Sequence, residues 1–191
     1  EGSNFKHIND GKSNYKKFKK EDWVIDVEID ELIETIESYP CKRIILTGGD
    51  PLLQQKELCF LAQKLKAKGC FIEVETNGTL LPITAMDRHV DQYNVSPKLN
   101  NSNNELKLRV KDKAMKYFQK SHKSTFKFVI DNKEDIEEVL WLRDQFEINP
   151  KDIYLMPQGT LSDTLQNKQH WVVDLCKQYG INFTAHPSLW R

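Results

Sequence analysis

The sequence predicts an α/β fold built on parallel strands, and three observations carry that prediction. Short apolar runs alternate with stretches of helical period. Six strands can be counted, each separated from the next by a helix or a long turn. Polar and turn-forming residues gather just after the strands. Alternation of this kind implies parallel pairing through right-handed crossovers. Six units in 191 residues fall short of a closed eight-stranded barrel, which takes about 250 residues. A doubly wound open sheet and a partial barrel both remain open, and in either one ligands bind at the carboxyl ends of the strands.

The elements follow in order. The first twenty residues, rich in Asn, Lys, Gly and Ser, carry no apolar period and close on the basic run Lys16, Lys17, Lys19 and Lys20. They are expected to be peripheral, with the lysines on a solvated edge. Ile29, Leu32, Ile33 and Ile36 mark a helix that Pro40 ends. Arg43 to Thr47 (RIILT) has the length of a strand buried on both faces. Leu58, Leu61, Ala62 and Leu65 mark the next helix, with Gly69 placed to cap it in the left-handed conformation. CFIEVE, Cys70 to Glu75, is a strand left through the turn TNGT. A short helix over Ile83 to Arg88 and a strand over Gln92 to Val95 come next. One charged helix is expected from Glu105 to Lys120, then a strand from Thr125 to Ile130 and a helix from Lys133 to Phe146. Ile153 to Met156 is a strand, Leu161 to Tyr179 a helix and Ile181 to Ala185 the last strand.

Composition bounds the function. With 28 basic and 28 acidic side chains the formal charge is zero, which argues against bulk attraction to nucleic acid or an anionic membrane. No run approaches 18 apolar residues, so no membrane span is expected. A length of 191 residues suits a single domain over 1–191. Cys41, Cys59, Cys70 and Cys176 lack the spacing of a zinc knuckle, a redox dithiol or a cluster loop. They are expected to be reduced thiols of a cytoplasmic protein, mostly filling the core. The basic tract from Lys107 to Lys127 has few interleaved aromatics and suggests a solvated helix face rather than a nucleic-acid surface.

Five strand ends carry groups that can hydrogen-bond a polar ligand. RIILT runs into Gly48, Gly49, Asp50 and Pro51; FIEVE into Thr76, Asn77 and Gly78; YNV into Ser96, Pro97 and Lys98. YLM runs into Pro157, Gln158 and Gly159, and the last strand into His186 and Pro187. Gly48 and Gly49 bare the backbone to a ligand, whose ammonium could use their carbonyls and the Asp50 carboxylate. No phosphate loop and no GxGxxG is present. Glu73 and Glu75 share one strand face, and two carboxylates in a doubly buried strand are costly without partners. A site explains them, as does an edge-strand position.

The order TGGDPLLQ, ETNGT, SPK, KFVI, LMPQG and HPSLW resembles the 7-carboxy-7-deazaguanine synthase family of radical S-adenosylmethionine enzymes, over about Arg43 to Arg191. The resemblance implies a partial (β/α)6 barrel. It also implies S-adenosylmethionine, a [4Fe-4S] cluster and assisting Mg2+ as cofactors. The implied reaction is that of a carbon–nitrogen lyase: ring contraction of 6-carboxy-5,6,7,8-tetrahydropterin to 7-carboxy-7-deazaguanine with loss of ammonia, on the route to queuosine. The reduced cluster would cleave S-adenosylmethionine to a 5′-deoxyadenosyl radical, which would take a hydrogen from the pterin.

Carried over by motif, Gly48, Gly49 and Asp50 would hold the methionyl amine. Ser96, Pro97 and Lys98 would lie along the same cofactor, Gln158 nearer its nucleoside end, and Glu75 and Asn77 in the same shell. Thr47 and His186 would face the pterin. A homodimer and an electron donor such as flavodoxin or ferredoxin are implied as well.

Two departures from the family pattern stand out. Asp50 replaces the usual Glu and shortens its reach by one methylene. The cluster-binding CxxxCxxC loop is absent, together with the early glycine-rich substrate segment and the magnesium-binding Thr. Because the chain starts at Glu1 rather than Met, the expectation is that these lie ahead of it and that the chain is inactive without them. Two alternatives accompany this expectation: a radical S-adenosylmethionine activating enzyme, and a cluster-free relative that binds a pterin or nucleotide without catalysis.

Overall fold

A computed structural model describes residues 25–159 and 161–185. The peripheral segment expected over residues 1–20, the basic run within it, and His186 and Pro187 lie outside the described residues. The chain divides into two compact units, Glu1–Pro40 and Cys41–Arg191. In the first, helix α1 (Ile29–Glu37) carries Asp30 and Glu31 in its first turn, where carboxylates favour the positive end of the helix dipole, and buries Ile33.

The second unit alternates strands and helices: β1 (Arg43–Leu46), α2 (Gln55–Ala67), β2 (Phe71–Thr76), α3 (Thr84–Asp87), β3 (Gln92–Val95), α4 (Leu106–Arg109), α5 (Asp112–Lys120), β4 (Ser124–Ile130), α6 (Asp135–Phe146), β5 (Ile153–Pro157), α7 (Ser162–Tyr179) and β6 (Asn182–Phe183). The six strands form one parallel sheet in the order β1-β2-β3-β4-β5-β6. That order settles the choice left by the sequence. A doubly wound sheet reverses its strand order at a switch point, whereas sequential right-handed crossovers keep all the helices on one face. The unit is a partial (β/α)6 barrel.

The two faces of the sheet differ in kind. Val74, Tyr93, Val95, Phe126, Phe128 and Leu155 are fully buried on the helix side. Tyr93 meets Phe118 of α5 edge-on, with ring centroids 5.3 Å apart. The register places the intervening residues on the opposite face, the lumen: Ile45 beside Glu73 beside Gln92, Glu75 beside Asn94 beside Thr125, and Lys127 beside Tyr154 beside Asn182. Period-two alternation therefore gives an apolar helix side and a largely polar lumen.

Four expectations are corrected. β1 is not buried on both faces; it is an edge strand and Ile45 is 52% exposed on the lumen side. β2 lies between β1 and β3, so an edge position does not explain its carboxylates. The helix expected over Glu105 to Lys120 is broken at Val110 and Lys111, both extended. A β-branched residue sits at the break, and the side chain before it, Arg109, is pulled into an ion pair described below. The last strand shrinks to two residues, because only Asn182 and Phe183 stand in ladder register with β5. Gly69, as expected, is left-handed after α2, at φ +77°.

Candidate functional site

The strand-end turns are cross-tied through one carboxylate. Asp50 caps the 3-10 turn Pro51–Gln54: its Oδ1 accepts the Leu52 amide at 3.0 Å. Oδ2 accepts the Asn77 amide at 2.9 Å, and both oxygens are in reach of the Thr76 hydroxyl, at 3.2 and 2.9 Å. Asp50 is only 7% exposed, so these donors offset the cost of burying its charge. The shorter Asp reaches the protein's own donors and locks the turn after β1 to the turn after β2.

Each turn is then shaped by glycine. Gly48 sits at φ +137°, and a Cβ at Gly48 or Gly49 would meet no atom within 4 Å, leaving their backbone open. At Gly78, φ +76°, a Cβ would lie 2.7 Å from Val95 Cγ1, so only glycine fits. Asn77 closes its own turn by accepting the Thr79 amide at 2.9 Å.

On the third strand end, Ser96 donates its hydroxyl to the Lys127 carbonyl at 2.9 Å. Pro97 is buried and Lys98 exposed. Arg109, read in the sequence as part of a solvated basic tract, is 7% exposed. Its guanidinium donates to the Lys98 carbonyl at 3.1 Å and the Asn104 carbonyl at 3.0 Å, and pairs with Glu138 on α6. Glu138 also accepts the Asn100 amide at 2.7 Å. The buried pair thus anchors the segment that carries Lys98. On the fifth strand end, Gln158 is exposed and its amide continues the sheet onto the Ile130 carbonyl at 2.8 Å.

Two levels of polar contact cross the lumen. At the floor Glu73, 4% exposed, pairs with Arg43 and accepts from Asn94 Nδ2 at 2.8 Å. Asn94 Oδ1 accepts in turn from Gln92 at 2.8 Å and from Thr125 at 3.1 Å. At the mouth Glu75 accepts from the Thr47 hydroxyl at 3.0 Å and from Lys127 Nζ at 3.3 Å, across the intervening strand β3. The structure brings Thr47, Glu75 and Ser96 together around Lys127, a residue the sequence did not single out. Its signal was there: a lysine between Phe126 and Phe128 in an alternating strand must face away from the apolar side.

Among the described residues no group of three or more His, Cys, Asp or Glu side chains is placed to hold a metal ion. No helix among them is long and apolar enough to cross a membrane. Cys70 and Cys176 fill the core as expected, and burial pushes the Cys176 thiol up to about 11. Cys59 is half-buried and Cys41 exposed, so the core-filler expectation holds for two of the four.

Comparison with known proteins assigns the class. The Radical SAM superfamily model matches residues 5–140, and the chain belongs to that superfamily. Within it, the chain is 40% identical over 117 residues to a 7-carboxy-7-deazaguanine synthase of Pyrobaculum aerophilum, covering 61% of this chain and 50% of that protein. It is 27% identical to a protein of the same name from Halobacterium salinarum, covering 86% of this chain and 72% of that one. The chain therefore spans half the length of the first relative and under three quarters of the second. The crystal structure of a domain of pyruvate-formate lyase-activating enzyme from Bacteroides vulgatus shares the fold: TM-score 0.52 at 18% identity, over 75% of this chain and 98% of that domain.

Membership implies S-adenosylmethionine and a [4Fe-4S] cluster as cofactors. The open backbone at Gly48 and Gly49, beside a polar lumen mouth, fits the first. The described residues do not fit the second, because Cys41, Cys59, Cys70 and Cys176 form no ligand set.

Proposed function

We propose that the protein containing this chain contracts 6-carboxy-5,6,7,8-tetrahydropterin to 7-carboxy-7-deazaguanine with loss of ammonia. The observation that carries this reading is the 40% identity to a relative of that name. The order of strand-end motifs supports it. The contraction is redox-neutral overall, so the protein's task is to bind, orient and shield the reactants. S-adenosylmethionine, when bound beside a reduced cluster, supplies a 5′-deoxyadenosyl radical.

In this reading the carbonyls of Gly48 and Gly49 accept from the methionyl ammonium. Asp50 holds their turn against β2 and adds negative potential beside it. Ser96, Pro97 and Lys98 line the same cofactor on a segment that Arg109 anchors, with Gln158 toward the nucleoside. Glu75 and Asn77 complete that shell, and Thr47 and His186 face the pterin, whose polar edge offers both donors and acceptors. Site groups left unpaired by a near analogue would reject it. Mg2+, a homodimer and a flavodoxin- or ferredoxin-type electron donor belong to the same proposal. Cluster ligation is assigned to no residue of this sequence.

Anaerobic reconstitution of the complete protein with iron and sulfide tests the reading. Given reductant, S-adenosylmethionine and 6-carboxytetrahydropterin, it is expected to form 7-carboxy-7-deazaguanine, detected by mass. Cofactor cleavage without that product would move the assignment to an activating enzyme. Ligand binding without cofactor cleavage would move it to a non-catalytic relative.

A further inference from the structure

At the lumen mouth Lys127 touches two of the proposed site residues, Ser96 and Glu75, and keeps N–H donors that no other described residue accepts. Its carbonyl accepts from Ser96, and its ammonium donates to Glu75 Oε1, whose second oxygen accepts from Thr47. Thr47 adjoins Gly48, so the ammonium stands two hydrogen bonds from the open glycine turn. An ammonium has three N–H donors. Among the described residues Lys127 gives one of them, at 3.3 Å, and its side chain is 27% exposed on the lumen side.

The floor makes the contrast. There every polar group named above has a protein partner, and the charge of Glu73 is closed off by Arg43 and Asn94. At the mouth Glu75 cancels the formal charge of Lys127 but leaves its remaining donors turned to the lumen. A partly exposed ammonium with spare donors can give them to a ligand in exchange for water. It also offsets the repulsion that Glu75 alone would exert on an incoming anion.

We infer that Lys127 is a binding residue for a ligand carboxylate at the lumen mouth. The inference rests on the proposed function, whose reactants offer two carboxylates: one on the pterin, the other on the methionyl end of S-adenosylmethionine. The chemistry is the same for both, a charge-assisted N–H···O contact.

Calorimetric titration of the full chain separates the sources. Two ligand pairs are compared: 6-carboxypterin against pterin, and S-adenosylhomocysteine against 5′-methylthioadenosine, which lacks the amino-acid part. Lys127→Met is expected to weaken the carboxylated member of one pair by about tenfold or more, leaving its carboxylate-free partner within about twofold. The pair affected names the source. Lys127→Arg, which keeps the charge, is expected to recover most of the loss, and Lys116→Met, on the exposed side of α5, to change nothing. Lys127→Gln carries the same test should the methionine variant not fold. Unchanged affinity for both carboxylated ligands overturns the inference alone, as does equal weakening within each pair. A wild-type chain that binds none of the four overturns the proposed function together with the inference.

Discussion

Glu73 and Glu75 are two residues apart on one face of one strand, and their environments are opposite. Glu73 is sealed at the lumen floor by Arg43 and Asn94, in a network that continues through Gln92 and Thr125. Glu75 is held at the mouth by one hydroxyl and one ammonium and stays partly exposed. The same residue type therefore does two jobs. A carboxylate whose acceptor sites are filled by the fold contributes stability, whereas one that is loosely held can exchange partners with a ligand.

The largest expected effect lies at the floor. Glu73→Ala leaves Asn94 and Arg43 without their shared acceptor and should cost about 3 kcal/mol of unfolding free energy, measured by denaturant titration. Glu75→Gln should cost about 1 kcal/mol or less in the same assay, as expected for a partly exposed pair, while weakening S-adenosylhomocysteine binding. Equal stability losses would erase the distinction between the two levels.

Gly78→Ala comes next, at about 2 kcal/mol, because the new methyl meets Val95 at a positive φ. Its structural loss should be accompanied by weaker cofactor binding, since the displaced turn includes Asn77. Binding unchanged at the lower stability would detach this turn from the site.

A smaller effect belongs to Asp91, outside the lumen. Burial raises its pKa, but hydrogen bonds from Lys66 at 2.8 Å and from the Ile72 amide at 2.7 Å outweigh this and hold it below the ordinary 3.8. The folded state thus binds this proton less tightly than the unfolded state. Its stabilisation is full above 3.8 and is lost as pH falls through the lower folded value. Asp91→Asn should cost about 1 kcal/mol at neutral pH, and thermal melts of wild type and variant should converge in acid.

What the sequence made legible follows from local chemistry. GGDP, TNGT and SPK stand out because glycine and proline punctuate the chain where strands end, and all three occupy the strand ends in the structure. Strand order was not legible, since it depends on where crossovers land rather than on any local pattern. The break at Val110 carries no glycine or proline to mark it. Arg109 and Lys127 were hidden in a lysine-rich tract, where composition suggests solvent. One is drawn inside by Glu138 from a distant helix, the other by its place between two buried phenylalanines.

Amide chemical-shift mapping of the chain with S-adenosylhomocysteine tests the central claim most directly. Perturbations are expected to concentrate at Gly48, Gly49, Glu75, Ser96 and Lys127, while Glu73, Asn94 and the helix side stay still. Perturbations centred on the floor or the helix face, with the glycine turn unmoved, would contradict it.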